Sequence, residues 1–210
     1  MNRPELPRFQ GRVVPWITPW SGGPTLPEPL VLAPGGRGIA YADEGVRDRT
    51  YDGVLLGRGR ARRAPGGGGR PLYDQVDPRR QHHAADLLLC QICGRRPPPS
   101  PRGLLWLLPG AADHPAEDAL VLGPPLCPDP CALLAVAQCP ALARGHTAVR
   151  VRYPRAWGYR GVLHTTDLRP AGEPVQLPHE DPRLPWLLAD LAVTRLMGCA
   201  VVDLAAETAR

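Results

Sequence analysis

Four of the six cysteines fall in two short clusters, Cys90-Gln91-Ile92-Cys93-Gly94 and Cys127-Pro128-Asp129-Pro130-Cys131. Two thiols separated by two residues can turn toward one ion, and Gly94 permits the tight backbone, with φ above zero, that such a turn needs. In the second cluster Asp129-Pro130 is a helix-start signal. It sets Cys131 in the first helical turn and Cys127 just before it, where amides and the helix dipole stabilise a thiolate. Cys139 lies eight residues beyond Cys131, roughly 12 Å along a continuous helix, and a Zn–S bond of about 2.3 Å cannot span that. Pro140 then ends the helix, and Cys139 and Cys199 read as small buried apolar side chains. The expected ligand set is Cys90, Cys93, Cys127 and Cys131, a closed thiolate shell around a structural Zn²⁺. Its binding energy, on the order of 10 kcal/mol or more, goes into folding. Arg95 and Arg96 can offset the negative charge of such a centre. The Cys90/Cys93 pair is also the one a thiol redox switch would use.

The Cys-x2-Cys-Gly knuckle, a hairpin at residues 103–108 and a second cysteine pair opening a helix resemble the treble-clef group of zinc fingers, over about residues 86–142. The departure is three residues, not two, between Cys127 and Cys131. Treble-clef folds include the His-Asn-His nucleases, whose zinc-bearing members place an Asp-His pair between the two cysteine pairs, and Asp113-His114 stands there. That resemblance implies Asp113 and His114 as catalytic candidates. The downstream Asn and further His of the nuclease pattern are absent between His114 and Cys139, so a catalytic metal would lack ligands. A divergent nuclease therefore stands as an alternative to a binding protein.

The elements that must position these groups are short. The 28 Pro and 23 Gly of 210 residues predict long irregular connections between brief strands and helices, while 43% hydrophobic content is that of a folded chain. All 25 basic residues are Arg, a pattern of GC-rich coding that weakens any step from Arg abundance to nucleic acid. The excess positive charge is local: residues 1–80 hold 13 Arg against 8 acidic residues, and residues 81–210 hold 12 against 12. Neither a secretory signal nor an apolar run of about 18 residues is present, so the expectation is a cytoplasmic protein without a membrane span. In a reducing compartment, closely spaced cysteines bind metal sooner than they form disulfides.

Residues 1–36, with eight Pro, read as an extended arm carrying Trp16 and Trp20, which pack on the protein's own core or on a partner. In 37–76, Gly38–Ala42 and Gly53–Leu56 are expected to pair as a hairpin across a solvated loop with four carboxylates, Asp43, Glu44, Asp48 and Asp52. A basic linker follows, with five Arg and six Gly in residues 57–70. Its Arg58, Arg60, Arg62, Arg63 and Arg70 are candidates for phosphate contact.

Asp77-Pro78 starts a helix that delivers Cys90, with His82 and Asp86 on one face. Residues 77–142 are the expected zinc module. In 143–210, Thr147–Tyr153 and Gly161–Thr165 are expected to form a hairpin, with Arg150 and Arg152 on a basic face that could track phosphates. After Asp181-Pro182, the spacing of Leu184, Leu187, Leu188, Leu191, Ala192 and Leu196 predicts a core helix capped at Gly198, and Cys199–Leu204 a final strand. The whole reads as an α+β protein with short antiparallel strands and about three helices around a four-cysteine structural zinc site. The function expected is binding or adaptor work, with nucleic acid or protein as partner. Nucleophile-elbow, phosphate-loop and dinucleotide fingerprints are lacking.

Overall fold

A computed structural model describes residues 6–60, 68–110 and 117–208. The first half of the chain contributes β1 (Arg8–Phe9), β2 (Arg12–Val13), β3 (Leu30–Leu32), β4 (Ile39–Tyr41), β5 (Leu55–Leu56) and helix α1 (Pro78–Asp86). Then come β6 (Leu104–Pro109), β7 (Leu120–Val121), α2 (Leu133–Gln138) and α3 (Pro140–Ala143). The last third holds β8 (His146–Val151), β9 (Arg155–Leu163), β10 (Val175–Pro178), β11 (Leu187–Arg195), β12 (Cys199–Val202) and α4 (Leu204–Thr208). Among the described residues this is a mixed fold of four α-helices and several small sheets. It divides into two compact units: Met1–Thr18, His83–Ala156 and Thr194–Arg210 form one, Pro19–His82 and Trp157–Val193 the other.

The first unit is built on the antiparallel sheet β12-β8-β6. Strand β6 runs opposite β8 from Leu104↔Val151 to Pro109↔His146. Its sequence is apolar at every position up to Pro109 because both faces are covered. Leu105 and Leu107 pack with Cys90, Cys131, Ala135 and Leu142, whereas Trp106 packs with Val149, Val151 and Leu196. The Trp106 indole N–H donates to the Gly123 carbonyl at 2.9 Å, so its one polar atom is satisfied inside the core.

In the second unit the strand order is β10-β9-β11-β5, with β5 parallel to β11, and β3 pairs with β4 as a separate hairpin. One core cluster gathers Val54, Leu56, Tyr159, Leu177, Leu187 and Ala189, and a second gathers Ile39, Tyr41 and Leu55.

Several expected pairings are replaced by others. The strands at 39–41 and 55–56 exist, but β4 pairs back to β3 and β5 goes to β11. Likewise β8 pairs with β6 and β12, while β9 lies between β10 and β11, so the hairpin expected from 147 to 165 does not form. Residues 104–109 are a single strand of that β8 sheet and not a local hairpin. The largest correction is β11, which stands where a helix is expected. Asp181-Pro182 leads only into a short 3₁₀ turn at Leu184–Trp186, since Pro185 removes an amide that a continuing helix would need. Leu187 and Ala189 are then fully buried in a central strand. Such a strand is apolar on both faces and satisfies a helical spacing by accident. The expected final strand is present as β12, though Ala200 and Val201 on it are exposed.

Candidate metal centre

Helix α1 begins where the Asp-Pro signal places it, and the Asp77 carboxylate accepts from the Arg80 amide at 3.0 Å. The chain leaves the helix through Leu88, at φ +53°, and enters the knuckle. The Gly94 amide donates to the Cys90 carbonyl at 2.7 Å, the Cys90 amide to the Arg95 carbonyl at 2.7 Å, and Gly94 adopts φ +69°. In the second cysteine pair Cys127 precedes, and Cys131 lies within, one wide helical turn, Pro128–Ala132, that runs into α2. The Ala132 amide donates to the Cys127 carbonyl at 3.1 Å, and the Leu126 amide to Leu105 of β6 at 2.8 Å. The sheet thus fixes the position of the second pair.

These elements bring the Sγ atoms of Cys90, Cys93, Cys127 and Cys131 within 4.8 Å of one another. The Cys93–Cys127 sulfur separation is 3.7 Å. Four sulfurs about 2.3 Å from a tetrahedral ion would lie about 3.8 Å apart, so the donor set fits a metal ion. All six cysteines are free thiols. Cys139 ends α2 with an extended backbone and is not among the four. It and Cys199 are half-buried.

The electrostatics favour a cation. Sulfur hydrogen bonds from Cys127 and Cys131 hold Cys93 well below the usual thiol range, and contacts with Cys127, Cys90 and Cys93 push Cys131 far above it. Four thiols this close cannot all ionise unless a positive charge joins them.

The N-terminal segment straps this knuckle. The Trp16 amide donates to the Ile92 carbonyl at 2.9 Å, and the Ile17 amide to Gln91 at 3.3 Å. A Cβ on Gly94 would stand 2.8 Å from the Trp16 ring. Trp16 therefore packs on its own chain, with Ile17, Ala84 and Leu89 around it.

Two of the expected phosphate-binding arginines are buried in internal ion pairs. Arg58 is buried, donating to Asp48 at 2.7 Å and Asp43 at 2.8 Å, with its guanidinium carbon 3.9 Å from the centre of the Tyr41 ring. Arg150 is buried against Glu207, which also pairs with Arg102 at 2.6 Å. Each of these two guanidiniums is buried and serves an internal ion pair. The four-carboxylate loop is solvated at Asp43, Glu44 and Asp52, and the exception is Asp48, which is buried. Arg60 is half-buried, whereas Arg70 and Arg152 are exposed. Arg62, Arg63, Asp113 and His114 lie outside the described residues.

One side-chain cluster in the second unit was not anticipated. The Asp52 carboxylate accepts from Thr50 Oγ1 at 2.6 Å, from the Tyr159 hydroxyl, and from His179 Nδ1 at 2.7 Å. His82 stacks on the Tyr159 ring at 5.6 Å between centroids. It is 3% exposed and neither ring nitrogen has a hydrogen-bond partner. Burial pushes His82 down to about 4 against the pull of the Asp52 charge. His179 lies 127 residues from Asp52 and in no motif, so no local pattern could have joined them.

Comparison of the chain with protein-family models, with curated proteins and with solved structures returns no match.

Proposed function

We propose that this is a zinc-stabilised binding protein in which Cys90, Cys93, Cys127 and Cys131 hold one structural Zn²⁺ in a treble-clef-like module. The observation that carries the reading is the convergence of four thiol sulfurs, none in a disulfide, on one point. A four-sulfur shell leaves no coordination position for water or substrate, so the ion stabilises the fold and does no catalysis. Metal analysis of the purified protein tests this: one zinc per chain is expected, and no metal, or a titratable disulfide, overturns it.

Nucleic acid is the ligand class we propose for the exposed arginines that remain, Arg70 and Arg152 among them. Fluorescence anisotropy with labelled oligonucleotides should show binding that weakens steeply with salt, and Arg70→Glu with Arg152→Glu should reduce the salt slope. No binding at low salt points instead to a protein partner. The 3.7 Å gap between Cys93 and Cys127 supports a redox reading of the same site. Zinc release together with Cys93–Cys127 disulfide formation under mild peroxide would favour that reading over a purely structural ion.

A further inference from the structure

We propose that Asp52, Tyr159 and His179 form a proton-transfer site, with Nε2 of His179 as the base that activates water against an aryl or similarly activated carboxylic ester. This site is separate from the cysteine cluster and goes beyond the binding function proposed above. The carboxylate of Asp52 receives Nδ1 of His179 at 2.7 Å, which sets the proton of the neutral ring on Nδ1 and leaves the lone pair on Nε2. That carboxylate is itself fixed. Thr50 Oγ1 and the Tyr159 hydroxyl both donate to its other oxygen, and Thr50 is held in turn by the Val54 amide at 3.0 Å. Burial raises the Asp52 carboxyl, but the hydrogen bonds from Thr50, Tyr159 and His179 outweigh it and hold it below the usual range, so it stays ionised beside the ring.

The pair is open to solvent, with side-chain exposures of 30% for His179 and 32% for Asp52. Tyr159 meets the His179 ring edge-on at 5.1 Å and limits its rotation. The His179 amide donates to the Trp157 carbonyl at 3.0 Å, which ties its backbone to the β9 strand. His82, the other histidine against Tyr159, is buried without a hydrogen-bond partner and cannot meet water. His179 is therefore the histidine of this cluster that exchanges protons with solvent.

The chemistry follows from what surrounds Nε2. Among the described residues no hydroxyl or thiol is hydrogen-bonded to the imidazole, since Thr50 Oγ1 is turned to Asp52, so water is the nucleophile. As the water oxygen bonds to the acyl carbon, one of its protons passes to Nε2. The carbon–oxygen bond to the leaving group then breaks, the leaving group departs as an anion, and the imidazolium returns its proton to solvent. With no second acid hydrogen-bonded to His179 among the described residues, the leaving group departs unprotonated, which is why an aryl ester is the fitting class.

The test uses the full chain and 4-nitrophenyl acetate. Hydrolysis should exceed that of free imidazole at equal concentration, fall about tenfold or more in His179→Gln and Asp52→Asn, and stay unchanged in His83→Gln. Nitrogen NMR of the wild-type protein, which needs no variant to fold, should show His179 protonated at Nδ1 and bare at Nε2. Equal rates in wild type and His179→Gln, or an Nε2–H tautomer, would overturn the proposal. Either result leaves the zinc reading untouched, because metal content is measured separately.

Discussion

Gly94 sits at φ +69°, and a Cβ there would stand 2.8 Å from the Trp16 indole. Gly94→Ala therefore combines a left-handed backbone with a collision. It should destabilise the metal-loaded protein by about 2 kcal/mol and weaken metal retention, as read by chemical denaturation and a competing chelator. The glycine and its two cysteines are legible in the sequence because the knuckle is made by adjacent residues. Arg58 is not, because Asp43 and Asp48 reach it only through the folded chain. Removing that guanidinium leaves the buried Asp48 carboxylate with Arg79 as its ion-pair partner and the Gly45 amide, and Arg58→Ala should cost about 3 kcal/mol. His82 predicts a pH effect of definite sign. Its pKa falls from 6.5 to about 4 on folding, so between those values the unfolded chain binds the extra proton. This contribution is complete above the unfolded pKa and is lost as pH falls toward about 4. Thermal melts across that window should show wild type losing stability in acid more steeply than His82→Phe.

At the scale of elements, the joints are made by long-range partners. Gln81 of α1, 1% exposed, donates from Nε2 to the Ala192 carbonyl at 2.9 Å and accepts from the Ala192 amide at 2.8 Å. A side-chain amide thus completes the hydrogen bonding of buried backbone in β11. Gln81→Leu keeps the volume but orphans an amide and a carbonyl, and should lower stability by about 3 kcal/mol in urea unfolding. Gln81→Glu, which cannot donate at neutral pH, should lose the bond to the carbonyl while keeping that from the amide. The contact also shows why α1 was legible and β11 was not. Asp77-Pro78 is a local start signal whose cap forms within three residues, whereas β11 is a strand because β9 and β5 flank it and the apolar spacing of 184–196 fits either structure. Strand β8 is legible from its alternation but β9, expected only from Gly161, begins at Arg155, and the pairing of β8 is misread for the same reason, since alternation assigns faces and not neighbours.

Across the whole molecule, charge follows the units and not the order of the chain. The unit bearing the cysteine cluster has 12 Arg against 8 acidic residues, and the other has 13 against 12. Of the whole chain's excess of five positive charges, four lie in the unit that would gather four thiolates, where they oppose that charge. A metal ion held there would touch the unit's main core directly, because Cys90 and Cys131 pack among Val13, Ile92, Leu105, Leu126, Ala132 and Ala148. Losing the ion would leave four crowded thiols, of which only some can ionise, inside that core. Chelation should then loosen the knuckle, its strap and the strand contact below it before anything else. Hydrogen exchange after treatment with a zinc chelator should show lost protection at the amides of Trp16, Gly94 and Leu126, whose bonds run to Ile92, Cys90 and Leu105. The amides of Leu56 and Gly57, bonded to Asp48 and Ala189 in the other unit, should keep theirs. Uniform loss of protection in both units, or none at Leu126, would show that the cysteine cluster does not anchor the core around it.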